Sequence, residues 1–158
     1  MCAFQRDYIL RLIEQLREFL AEITRLRETG RPEQALTAII RAQERLFIRP
    51  AGEFLPLPPD EQFRLLTRAE TPADARAKCL AQADLLVETA RIYLAREQPA
   101  IASGAWRFAL RMLELAATLA PGETADGETD GEAAAADPEI TSRLTVARAE
   151  IQRLQTRM

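Results

Sequence analysis

GRPEQALTAIIRAQERL, Gly30 to Leu46, decides how the rest of the chain is read. Ala35, Leu36, Ile39, Ile40, Ala42 and Leu46, with Phe47 just beyond, recur at helical spacing and form one apolar side. Pro32 starts this helix in its first turn, where a missing N–H costs nothing, and Glu33 sits near the positive helix end. Upstream, a helix is expected from about Gln5 to Thr29. Ile9, Leu12, Leu16, Phe19, Ile23 and Leu26 recur there at steps of three and four, and Ile13 and Leu20 widen the stripe. Gly30 ends it. So short a connection forces the two helices into an antiparallel hairpin.

Downstream, the same signals repeat. RPAGEFLPLPPDE, Arg49 to Glu61, holds four prolines and a glycine and is expected to be an extended connector. A short helix from about Asp60 to Arg68 can bury Phe63, Leu65 and Leu66. Thr71-Pro72-Ala73-Asp74 carries a cap, a first-turn proline and an acid that can reach back. The helix it opens runs to about Arg96, with Cys79, Leu80, Ala83, Leu86, Val87, Ala90, Tyr93 and Leu94 as its stripe. The helix from about Pro99 to Ala120 is apolar on most sides and is expected to be central to the packing. A last helix, opening at Asp137-Pro138-Glu139, carries Ile140, Leu144, Ala147, Ile151, Leu154 and Met158 at the same steps. The expected fold class is all-α, with five main helices and one short one. Residues 1–120 form the helical domain, 121–137 an acidic disordered loop, and 138–158 a helix packing on the domain or on a partner subunit.

Composition narrows function mainly by what is missing. The 158 residues contain no histidine and no asparagine, serine only at Ser103 and Ser142, and lysine only at Lys78. Ser–His and Cys–His nucleophilic pairs need an imidazole and are excluded, as are histidine-based metal sites. No spacing singles out a carboxylate pair, so no catalytic residue and no cofactor is assigned. Cys2 and Cys79 are lone thiols, and Cys79 falls on an apolar stripe. Neither a signal-peptide pattern nor a membrane span is visible, so a reduced cytoplasmic setting with no membrane partner is expected. Residues 121–137 carry six of the 24 acids and no base, leaving 18 acids against 21 bases elsewhere. That balance is too even for a nucleic-acid partner, which needs a clustered basic face.

Phe19, Leu26, Ala35, Ile39 and Ala42 resemble the tetratricopeptide repeat, a helical hairpin of about 34 residues with small residues where its helices cross. Ile23 departs from that pattern, at a position where the repeat usually has a small residue. Leu86, Ala90 and Tyr93, then Ala109, Leu113, Ala116 and Pro121, resemble a weaker second copy, interrupted around EQPAIASG. RDYILRLIEQL, Arg6 to Leu16, is also similar to the opening of a family of bacterial helical-repeat proteins of unknown activity. The resemblance implies irregular stacked hairpins in which first helices line a groove. It would set Arg17, Leu20, Thr24 and Arg27 opposite Asp84, Val87, Arg91 and Leu94. Three arginines around an apolar floor can hold a carboxylate or an acidic peptide by bidentate hydrogen bonds. The plainer account is a solvated face whose arginines pair with Glu14, Glu18 and Glu22.

The expected function is therefore a non-catalytic protein–protein interaction or scaffold module presenting an arginine-lined groove to a protein or acidic peptide. The alternative is a small-molecule or metal-binding regulatory protein. Asp126, Glu128, Asp130 and Asp137 approach calcium-loop spacing, but Glu128 and Asp137 depart from it and the repeated GET reads as low complexity. Tyr8, Arg11 and Glu14 share a helix face that is either a contact surface or a plain surface ion pair. The first and last helices both carry seams compatible with a homodimer, or with packing on their own chain.

Overall fold

The computed structural model describes residues 3–119 and 137–157, with side chains from residue 7 onward. Among them lie seven helices and no strand: α1 (Ala3–Glu28), α2 (Pro32–Phe47), α3 (Ala51–Phe54), α4 (Pro59–Thr67), α5 (Pro72–Ala95), α6 (Pro99–Ala117) and α7 (Pro138–Arg157). A proline opens each of α2, α4, α5, α6 and α7, where its fixed φ favours the first turn. Gly30, at φ +76°, closes α1 while the Arg31 N–H reaches back to the Leu26 carbonyl at 2.8 Å. That is the six-to-one bond of a left-handed helix stop. Thr71 caps α5 through its hydroxyl oxygen, which accepts from the Asp74 N–H at 3.2 Å.

The count exceeds the expected six helices by one turn, α3, inside the proline-rich connector. Phe54 is the reason. It is fully buried and stacks on Phe47 with ring centroids 4.3 Å apart. Its carbonyl accepts from Gln62 Nε2 at 2.9 Å, and Glu44 accepts the Ala51 N–H at 3.0 Å. One aromatic side chain thus folds a stretch whose prolines read as extended.

The core is continuous from α1 to α7. Leu16, Ile23, Leu46, Leu66, Leu85, Ile92, Met112, Leu113 and Leu154 are almost wholly enclosed. Alanines fill in between: Ala35 and Ala42 on α2, Ala90 on α5, Ala102, Ala109 and Ala116 on α6, and Ala147 on α7 have no exposed surface. The central element is α5, not the Pro99 helix expected from the sequence. It packs on α1, α2, α4 and α6, whereas α6 packs on α4, α5 and α7. Its polar residues Lys78, Gln82 and Glu88 are buried too, which is why sequence patterning understated its enclosure. Lys78 is held by Glu70 at 2.8 Å. Gln82 is the middle of a buried amide chain, accepting from Gln43 at 3.2 Å and donating to Gln62 at 3.0 Å. Unpaired, these groups would each be costly in this setting.

The stripes of α1 and α7 are occupied within the chain. Ile9, Leu12, Leu16, Ile23 and Leu26 are buried on α1, and Ile140, Ala147 and Leu154 on α7. No helix among the described residues is long and apolar enough to cross a membrane.

Candidate functional site

Between α1, α5 and α7, above α6, lies a cleft of about 340 Å³. Its apolar surface comes from Leu20, Ala83, Val87, Trp106, Leu113 and Val146. Thr24 stands on the α1 wall and Ser142 on the α7 wall. Helical spacing explains the grouping: Leu20 and Thr24 are one turn apart on α1, as are Ala83 and Val87 on α5.

Charged groups rim the cleft, and each has a partner. Glu88, with its side chain 7% exposed, accepts from Arg27 Nε at 3.1 Å and from Arg91 Nη1 at 2.7 Å. Asp84 takes a bidentate pair from Arg143 of α7 at 2.9 and 3.0 Å. The hydrogen bond to Asp84 raises the Arg143 pKa, burial opposes this, and Glu139 adds to the rise. Arg143 stays charged at any working pH.

Of the residues grouped from the sequence, Leu20, Thr24, Asp84 and Arg91 line this cleft, as does Val87. Arg27 stands at its edge through Glu88. Arg17 is exposed and does not line it, and neither does half-buried Leu94. The arginines differ from the sequence account in their partners. Arg27 pairs across helices with Glu88, while Glu22 takes Arg25 at 2.6 Å. Arg143, Ser142, Val146 and Glu88 went unread as site residues. Nothing local in the sequence pairs Asp84 with a residue 59 positions away.

Trp106, which lines the cleft, is 2% exposed, and its indole N–H has no hydrogen-bond partner among the described residues. Among the described residues no cluster of three or more Cys, Asp or Glu side chains is placed to hold a metal ion. Asp126, Glu128 and Asp130 lie outside the described residues. Asp137 accepts the Glu139 N–H at 2.8 Å and pairs with Arg76, so it caps α7. Cys79 is buried, and desolvation pushes its thiol up to about 12, which keeps it from acting as a nucleophile.

No protein-family model matches the chain, and no curated protein or solved structure is significantly similar to it.

Proposed function

We propose that the chain is a non-catalytic interaction module of tetratricopeptide-like hairpins, and that it grips a segment of a protein partner in the α1–α5–α7 cleft. The observation that carries this is the composition of the cleft. Its floor is apolar and its rim arginines are already held in place by Glu88 and Asp84. Fixed guanidinium groups around an apolar floor suit an apolar anchor side chain with a carboxylate beside it, since little ordering entropy remains to be lost. No imidazole, activated thiol or metal-binding cluster stands among the described residues to drive a reaction. The enclosed alanines of α2, α5 and α6 fit the small-residue crossings of the repeat. A cytoplasmic, bacterial setting fits the same reading.

Peptides selected from a random library on the intact chain test it. Cleft-directed peptides should lose at least tenfold in affinity with Thr24→Trp, which fills the cleft, and keep it with Arg107→Glu on exposed surface. Equal binding to Thr24→Trp and the native chain rejects the site.

A second reading rests on the Trp106 N–H. A cleft of about 340 Å³, with one buried donor lacking an acceptor among the described residues, has the size of a small-ligand pocket. A carbonyl-bearing fragment that shifts the fluorescence of Trp106, the single tryptophan, in the native chain but not in Thr24→Phe would favour a small-molecule sensor.

A further inference from the structure

The outer seam of the first hairpin is a separate feature, and it is strongly basic. Two shallow grooves follow one another along the contact of α1 with α2. Six arginines line them: Arg11, Arg25, Arg31, Arg41, Arg45 and Arg49. Only two acids do, and both are engaged. Glu22 holds Arg25 at 2.6 Å, and Glu44 accepts the Ala51 N–H at 3.0 Å. Arg11, Arg31 and Arg41 make no ion pair among the described residues. Arg45 donates to Gln15 at 2.9 Å, and Arg49 reaches Glu53 only at 3.9 Å. The chain as a whole carries −3, so the fold has concentrated positive charge on one face.

The seam is also apolar where it is most open. Tyr8 is 46% exposed and Ile48 is 64% exposed at its end, and half-buried Phe19 lies further along. Ile48 has the conformation least suited to it. It closes α2 at φ 55°, the left-handed position that glycine takes at the end of α1. Ala69 and Glu97 adopt the same φ, but neither is β-branched. A branched side chain there is strained, and at this exposure it gains little burial within its own chain. The turn itself is held by the helix stop, in which the Ile48 and Arg49 N–H groups both reach the Glu44 carbonyl, and it leaves an apolar side chain standing open at the end of the seam.

We infer that this seam docks an acidic amphipathic helix of a partner protein. Such a helix would lie in the α1–α2 groove as a third rod. Its carboxylates would meet the arginine forks and its apolar side would cover Tyr8, Phe19 and Ile48. From Tyr8 to Leu26 the groove runs roughly 27 Å at about 1.5 Å per residue, which matches a helix of about 18 residues. A phosphate backbone would satisfy the arginines but leave the apolar strip uncovered, so the acidic helix fits better. The inference stands independently of the α1–α5–α7 cleft.

The test titrates the intact chain with a labelled 18-residue helix, glutamate on one face and leucine on the other, and with duplex DNA. The acidic helix should bind more tightly than DNA, and more weakly as salt rises. Arg11→Glu with Arg41→Glu should weaken it at least tenfold while circular dichroism stays native. Ile48→Gly should weaken it severalfold while raising the melting temperature, an outcome no loss of folding can imitate. Thr24→Trp should leave it unchanged. Absence of helix binding, equal binding to the double variant, or tighter arginine-dependent binding of DNA would each overturn the inference.

Discussion

Replacing Glu88 with glutamine tests whether the cleft rim is held electrostatically. The carboxylate is nearly enclosed and receives two guanidinium groups, at 3.1 Å from Arg27 and 2.7 Å from Arg91. A hydrogen bond to a charged group contributes about 1.5–3 kcal/mol when shielded. The Arg27 side chain is only 23% exposed, so its half belongs to that class. The Arg91 side chain is 46% exposed, and its half is screened to about 0.5 kcal/mol. Glutamine keeps the shape and can still accept one bond through its carbonyl, which removes part of the loss. The expected destabilisation is about 2 kcal/mol, or roughly 4–8 °C in melting temperature for a chain this size. Arg91→Gln should lower it by roughly 1–2 °C, because it deletes only the screened half. The assay is thermal unfolding by circular dichroism at low and moderate salt, with little salt dependence expected for Glu88→Gln. A Glu88→Gln protein melting within a degree of the native one, or an Arg91→Gln protein less stable than it, would refute the assigned geometry.

Three further outcomes follow from buried polar groups, backbone conformation and an enclosed thiol. Gln82→Leu leaves the Gln43 donor and the Gln62 acceptor without partners, so it should cost about 2–4 kcal/mol in urea unfolding, and adding Gln43→Leu should then cost almost nothing more; additive losses would show that the amides act separately. Ile48→Gly should raise stability by about 1 kcal/mol, because glycine enters the left-handed region without strain; a lower melting temperature would mean that the isoleucine packs within its own chain. In a Cys2→Ala background, Cys79 should react with thiol reagents only as fast as the chain opens. Its folded pKa is raised, so its contribution to stability is full below the unfolded value near 9 and declines as pH rises toward 12. A Cys79→Ala protein, although weakened by the lost packing, should lack that part of the alkaline loss, and an identical alkaline profile would count against it.

The individual helices were legible in the chain because their causes are local. Prolines in first turns, Gly30 at a stop, the Thr71 cap and apolar residues three and four apart each act over a few residues. Arg17 and Leu94 do not line the α1–α5–α7 cleft, because helical spacing gives a face without saying where a neighbouring helix ends its coverage. Gln82 and Glu88 went unread as enclosed residues of α5, since a polar side chain carries no mark of its distant partner. Phe54 turned a proline-rich connector into α3 only because Phe47 and Gln62 were waiting for it.

Sequence alone thus determined the all-helical class, most helix boundaries and the absence of imidazole chemistry, all of which depend on short-range sterics and residue inventory. Tertiary structure decided that Arg143 meets Asp84 across 59 positions, that α5 is the enclosed helix, and that six arginines of α1, α2 and their flanking loops share one seam. Those outcomes depend on which faces meet in space, and no periodicity within a single helix encodes the identity of its neighbour.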